Sequence, residues 1–384
     1  MAISDRLAAF GVSIFSEMTA LAQEHDAINL GQGFPNWDGV DFVKDAARDS
    51  LLQGGNDQYP PSQGIPALRE AVANRYGPLL GRDLDPATEI TITCGCTEAL
   101  AACFLGLIDP GDEVILIEPF YDAYPVFVAM AGAIPRHITL RPPSFALDLD
   151  QLRDVFSPTT KAIVVNNPHN PTGRVFGDDE LAAIASLCVE FDVVAITDEV
   201  YEEMTYEGAH RRLATYEGMW ERTVTLSSVG KTFSLTGWKV GWGIAPSGLT
   251  AGLRSAHQFL TFTTPTPVQH GTVAAMGAPD DFYKDLRSGY LEKRDLLADG
   301  LETVGFEVHR PQGTYFMMAG FEAFGFDNDR SFCRHLVETA RVVAIPPSSF
   351  YHSPQDGSSL VRFAFCKDEA ILSAAIDRLQ VLGR

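Results

Sequence analysis

Three short apolar runs each deliver a reactive side chain to a turn. Ala162-Ile163-Val164-Val165 leads into Asn166-Asn167-Pro168-His169-Asn170-Pro171-Thr172-Gly173, Val193-Val194-Ala195-Ile196 into Asp198-Glu199-Val200-Tyr201, and Thr223-Val224-Thr225-Leu226 into Ser227-Ser228-Val229-Gly230-Lys231-Thr232-Phe233. The amine of Lys231 can form a Schiff base with a carbonyl compound, and Asp198 and Tyr201 are groups that hold or share protons. Continuous apolar runs bounded by turn residues read as strands buried on both faces of a parallel sheet, whose ligands gather at the carboxyl ends of the strands. Asn170, Asp198, Tyr201 and Lys231 are therefore expected along one sheet edge.

The elements that must place them form a regular series. Ile90-Thr91-Ile92-Thr93 and Val114-Ile115-Leu116-Ile117 are further strands, and Thr97 to Leu107 reads as a helix. Leu68, Val72, Ala73 and Tyr76 follow helical spacing behind Pro66. The alternation continues to about Ala245 and predicts an α/β domain with a mostly parallel sheet flanked by helices. Beyond it, Tyr290 to Val304 reads as a long helix, and Gly313-Thr314-Tyr315-Phe316-Met317 and Leu360-Val361-Arg362-Phe363-Ala364-Phe365 as strands. That texture predicts a smaller α+β domain completed by the N-terminal arm. The expected division is residues 1–45 for the arm and part of the small domain, 46–285 for the large domain and 286–384 for the rest of the small domain. A cleft between two lobes is the default ligand site.

Composition narrows the function. The chain has 384 residues, 46% of them hydrophobic, enough for a large core. Its formal net charge of −21 is spread along the length and repels phosphate backbones and anionic lipids, so neither nucleic acid nor membrane is an expected partner. The six cysteines lie in apolar surroundings and read as buried reduced thiols. Cys94-Gly95-Cys96 has no second Cys or His pair at ligand spacing, so no metal is expected. A soluble cytoplasmic protein is the expectation.

The order and separation of Asn170, Asp198, Tyr201 and Lys231, with 28 residues from Asn170 to Asp198 and 33 from Asp198 to Lys231, resemble the fold-type I pyridoxal-phosphate enzymes of the class I/II aminotransferase family. The likeness extends over nearly the whole chain through Asn29-Leu30-Gly31-Gln32-Gly33-Phe34-Pro35, Gln58-Tyr59, Gly64 to Arg69, Glu118-Pro119-Phe120-Tyr121-Asp122-Ala123-Tyr124 and Gly237-Trp238-Lys239-Val240-Gly241. Within the family it is most similar to the kynurenine aminotransferase/glutamine transaminase K and methionine aminotransferase branch. The resemblance implies pyridoxal 5′-phosphate as cofactor, a homodimer, and amino-acid and 2-oxo-acid substrates exchanged by a ping-pong mechanism.

It also implies roles. Lys231 would carry the cofactor, and Asp198 would keep its ring nitrogen protonated. Asn170 and Tyr201 would hydrogen-bond its phenolic oxygen, and Tyr121 would stack on its ring. The phosphate would be held by the backbone N–H groups of Cys96 and Thr97 at a helix start, the Ser228 hydroxyl and the Lys239 ammonium, with Tyr59 reaching in from the partner subunit. Aspartate-type relatives have arginine at the position of Lys239. Arg362 and the N–H of Gly33 would clamp the substrate carboxylate, with Asn170, Tyr124 and Phe15 in the substrate pocket. Phe15 replaces a tryptophan of the kynurenine-type relatives, which implies a wider pocket.

Aromatic residues near the expected cleft (Phe15, Phe34, Trp37, Tyr59, Tyr124, Phe262) favour large neutral amino acids such as kynurenine, phenylalanine, methionine or glutamine. Three other readings compete. Ser228-Val229-Gly230-Lys231 matches an S-x-x-K pattern without the accompanying Ser-Asp-Asn or Lys-Thr-Gly elements, and Gly31-Gln32-Gly33 lacks the third glycine of a dinucleotide loop. Carbon–sulfur β-elimination on the same cofactor stays open. A non-catalytic effector domain that binds the cofactor as a signal is disfavoured by the complete catalytic set.

Overall fold

The computed structural model describes residues 3–383. A single 3-10 turn, Asp5–Leu7, precedes the helix Ile14–Glu24, whose N-cap Ser13 accepts from the N–H of Ser16, and the short strand β1 (Ile28–Asn29). There follow β2 (Ile90–Thr93), β3 (Glu113–Glu118), β4 (Ile134–Thr139), β5 (Thr160–Asn166), β6 (Val194–Asp198), β7 (Thr223–Ser228) and β8 (Gly241–Ile244). These seven form one sheet in the order β2-β8-β7-β6-β5-β3-β4. All neighbours are parallel except β8, which runs antiparallel to both β7 and β2.

Period-two alternation explains why the central strands are apolar throughout. Val114, Leu116 and Val164 pack into the core that holds the helices Gly95–Leu107 and Ser247–Leu260. Their neighbours Ile115, Ile117, Ile163 and Val165 pack into a second core on the other face, with Leu152 and the helix Asp178–Phe191. Both faces are covered, as a parallel sheet requires.

β8 was not legible as a strand. It reads Gly241-Trp242-Gly243-Ile244, and glycine is disfavoured in strand interiors. At Gly241 a Cβ would lie 2.7 Å from the Cys96 nitrogen and 2.9 Å from the Ser227 oxygen, so only glycine lets the strand pass under the start of the Gly95–Leu107 helix.

The remaining strands, β9 (Glu307–His309), β10 (Phe316–Gly320), β11 (Val342–Val343) and β12 (Leu360–Ala364), build a separate layer. β12, β10 and β9 form an antiparallel sheet against the helices Asp280–Val304 and Glu369–Leu379. β1 pairs in parallel with β11, Ile28 opposite Val342, which joins the N-terminal arm to the C-terminal third. The helix Asp280–Val304 starts ten residues ahead of the expected Tyr290 and runs through position 285 without a break. Among the described residues no helix is long and apolar enough to cross a membrane.

Candidate active site

Strand register sets the floor of the site. Asn166 at the end of β5 lies opposite Asp198 at the end of β6, Asp198 opposite Leu226 of β7, and Ser228 opposite Gly241. A cavity of about 270 Å³ opens above these ends. It is lined by Cys96, Thr97, Tyr121, Tyr124, Asn170, Asp198, Tyr201, Ser228, Lys231 and Lys239 from the large sheet and its loops, and by Phe15, Gln32, Gly33, Phe34, Phe316 and Arg362 from the arm and the C-terminal layer. Thirteen of the fourteen residues expected at the site are in that lining. The fourteenth, Tyr59, lies outside on the surface with its ring edge-on to Phe262 at 5.4 Å. Trp37 and Phe262, expected near the cleft, are also outside the lining.

Lys231 sits on a single helical turn, Val229–Thr232, capped by Ser228. Its ammonium lies 5.5 Å from the ring centre of Tyr201 and 5.7 Å from that of Tyr315. Burial lowers its pKa, against the opposing effects of Cys366 and Asp198. The amine is thereby biased toward the neutral, nucleophilic form.

Asp198 is buried and accepts hydrogen bonds from the Tyr124 hydroxyl at 2.8 Å, the Cys96 thiol at 3.6 Å and the Val200 N–H at 3.4 Å. Among the described residues no cation lies within 4.0 Å of it, and burial raises its pKa. Tyr124 was expected in the substrate pocket; it lines the cavity, but its hydroxyl is committed to Asp198. Sequence reasoning had no signal for this contact, which spans 74 residues.

Arg362, 1% exposed on β12, is the counterpart on the opposite wall. It donates to Asn170 Oδ1 at 3.1 Å and to the Gly31 carbonyl at 2.9 Å, while its Nε has no partner. Phe316, Phe15 and Phe350 surround it, with ring centres 4.1, 5.1 and 5.1 Å away. A cation caged by aromatic rings, with no carboxylate within 4.0 Å among the described residues, is a ready anion receptor. Burial pushes its pKa down to about 10.

At the other end the helix Gly95–Leu107 points its first turn into the cavity. Gly95 has φ +79°, and a Cβ there would lie 3.2 Å from the Lys239 ammonium. Lys239 itself adopts φ +53°, a left-handed conformation costly for a side-chain-bearing residue, and its Nζ lies 3.4 Å from Thr97 Oγ1. Free N–H groups, a hydroxyl and an ammonium converging at a helix start form an anion cradle. Beneath the floor, Glu202 binds Arg212, Tyr76 and Ser227, and His210 binds Glu199 at 2.7 Å. Arg212 lies between the two carboxylates, 3.4 Å from Glu199 Oε2, so this acidic group already contains its cation.

Residues 25–379 match the family model described as aminotransferase class I and II. The chain belongs to the class I and II aminotransferases. It is 46% identical to the N-succinyldiaminopimelate aminotransferase from Mycobacterium tuberculosis, whose structure superposes with a TM-score of 0.96 over 99% of this chain and all of that one. An Escherichia coli protein with a methionine aminotransferase function is 37% identical with a TM-score of 0.95, covering 99% of both chains. The kynurenine–oxoglutarate transaminase of Dictyostelium discoideum is 39% identical over 99% of this chain and 96% of its own length. The aminotransferase therefore has the fold and reaction class anticipated from its motifs. It also shares more identity with a diaminopimelate-type enzyme than with the kynurenine and methionine branch it was expected to resemble most.

Proposed function

We propose that this aminotransferase uses pyridoxal 5′-phosphate, held by Lys231, to move an amino group between an L-amino acid with a large neutral side chain and a 2-oxo acid. The observation that carries this reading is the pairing, across one cavity that Lys231 also lines, of buried Asp198 and buried Arg362, neither with an opposite charge within 4.0 Å among the described residues. The residues fit the cofactor: Asp198 for a ring nitrogen, the cradle of Cys96, Thr97, Ser228 and Lys239 for a phosphate, Tyr121 for a ring face, and Asn170 and Tyr201 for a phenolic oxygen. When bound, pyridoxal phosphate supplies the electron sink for the pair left behind when the Cα–H bond breaks.

The chain supplies the rest. Arg362 binds the substrate carboxylate through its unpartnered Nε and fixes which Cα bond faces Lys231. Asn170, with its Oδ1 held by Arg362, keeps its Nδ2 free to donate. Lys231, as a neutral amine, would take the Cα proton at Nζ and hold it for return on the same face of the site. Asp198 stays ionised beside a cationic ring nitrogen, because that partner offsets the burial that otherwise raises its pKa.

The cations of the lining are Lys231, Lys239 and Arg362, and each has a task. None is left for an acidic side chain, while Phe15, Phe34, Tyr121 and Phe316 present aromatic surface. This favours phenylalanine, methionine, glutamine or kynurenine as donor over an N-succinylated diaminopimelate, which carries two further carboxylates remote from the reacting amine. We further propose a cytoplasmic homodimer: the six cysteines are free, and Tyr59 (83% exposed), Phe259 (86%) and Leu52 (77%) leave apolar surface for a partner copy, with Tyr59 directed to the partner's phosphate.

Absorbance of the holoenzyme mixed with each amino acid in turn, without oxo acid, tests the reading. Conversion of the aldehyde to the amine form is expected with the neutral donors, slowed by about 10²- to 10⁴-fold in Lys231→Ala. Conversion only with the succinylated substrate would transfer the assignment to the diaminopimelate reaction, and conversion with none would remove it.

A further inference from the structure

The cradle is tied to a distant surface segment by a buried pair that the reaction does not use. The N-cap of the Gly95–Leu107 helix is Cys94, whose side chain caps nothing. Its backbone N–H is instead taken by Glu98 Oε2 at 3.0 Å. Both Glu98 oxygens face His257 Nδ1 on the helix Ser247–Leu260, at 3.0 and 3.1 Å, and His257 Nε2 faces the Ser62 carbonyl at 2.8 Å. A carboxylate and a carbonyl are both acceptors, so both ring nitrogens donate and His257 is an imidazolium. It is fully buried.

A buried ion pair is weak evidence for stability, since apolar residues of like volume often serve as well. What this pair adds is direction. Ser62 belongs to the segment that carries Tyr59, and its neighbours are moored nearby: Gln63 O accepts from Ile92 N–H at 3.0 Å, and Pro61 O from the Thr263 hydroxyl at 3.3 Å. One proton-bearing ring thus joins the first turn of the cradle to the segment presenting Tyr59.

We infer that Glu98 and His257 are positioning residues that hold the phosphate cradle and the Tyr59 segment in a fixed relation, and so set the affinity for the phosphate group of the cofactor. The inference rests on the cofactor reading above. The charged groups acting on His257 are Glu98 from the Gly95–Leu107 helix and Arg254 from its own helix; the Tyr59 segment presents the Ser62 carbonyl, and the Thr261 hydroxyl lies 3.4 Å from Nδ1. Burial pulls the imidazolium pKa down, but the hydrogen bond and charge of Glu98 more than restore it, so it stands above its ordinary value. A raised histidine pKa contributes below the unfolded value of 6.5 and is lost as pH rises through the folded value. The tie between cradle and segment is therefore complete while the ring carries both protons and loosens as pH rises through the folded pKa.

The test compares dissociation constants of pyridoxal phosphate and of phosphate-free pyridoxal, by absorbance, for the wild type, His257→Gln and Glu98→Gln. Glu98→Gln keeps an acceptor for the Cys94 N–H and guards against a His257 variant that fails to fold. The variants should bind pyridoxal phosphate about 10-fold or more weakly, with pyridoxal changed less than about threefold and the wild-type weakening at rising pH absent. Tyr59→Phe should cost less in the His257→Gln background than alone. Unchanged pyridoxal phosphate affinity in both variants, equal losses for the two aldehydes, or strict additivity with Tyr59→Phe would overturn the inference. A wild type that takes up neither aldehyde would instead remove the cofactor reading on which it stands.

Discussion

The two walls of the cavity are built on different principles. The large-sheet wall places Asn166, Asp198 and Ser228 by strand register, each at the end of a run buried on both faces. The opposite wall is assembled from the arm and the C-terminal layer: Arg362 is held by the Gly31 carbonyl 331 residues away and by Asn170 192 residues away, inside a cage of Phe15, Phe316 and Phe350. The first wall is rigid because moving one strand end would break the ladder of the next. The second can be retuned at Phe15 or Phe350 without touching the sheet. On the function proposed above, the proton-holding groups belong to the first wall and the grip on the substrate to the second.

Changes on each wall should therefore fail differently, and the largest loss is expected on the sheet side. Asp198→Asn keeps the shape and the Tyr124 contact but removes the charge, and should lower kcat by about 10²- to 10³-fold with little change in amino-acid KM. A kcat within about tenfold of wild type would show that the charge of Asp198 is not what the reaction needs. Arg362→Lys, on the other wall, keeps the charge but loses the fork. One charge-assisted hydrogen bond is worth about 1.5–3 kcal/mol, so kcat/KM should fall about 10- to 100-fold, carried mainly by KM. Loss in kcat alone would erase the distinction between the walls.

The same contrast explains what could be read from the sequence. The central strands and the four residues Asn170, Asp198, Tyr201 and Lys231 were legible because an apolar run, a turn and a polar residue are all local signals. β8 was missed because Gly241 and Gly243 weaken a strand pattern and are needed for close backbone approach, a tertiary demand. The Tyr124–Asp198 bond, the Glu98–His257 pair and the reach of Phe15 to Arg362 were not legible, since they join residues 74, 159 and 347 positions apart. Arg362 stood between: its apolar neighbours marked the residue as buried, and the family resemblance supplied its partner.

The smallest effect is expected where the two walls meet outside the cavity. His137 on β4 stacks on His352 from the loop that also carries Phe350, with ring centres 4.5 Å apart and planes 12° from parallel. Glu118 Oε2 lies 3.7 Å from His137 Nδ1 and accepts from the backbone N–H of His352 at 2.6 Å. Neither ring nitrogen of His137 has a hydrogen-bond partner. Burial, reinforced by His352, pushes its pKa down to about 4. The folded protein thus holds this ring neutral, and its contribution to stability is complete above the unfolded value of 6.5 and is lost as pH falls toward 4. Burial also raises the pKa of Glu118, which acts in the opposite direction by favouring the fold in acid, so the two must be separated by difference. His137→Phe retains a stacking ring and removes the titration. Its melting temperature should fall less than that of the wild type between pH 6.5 and 4, with activity at neutral pH unchanged. Parallel melting curves for the two proteins across that window would show that the seam between the walls does not sense protons through His137.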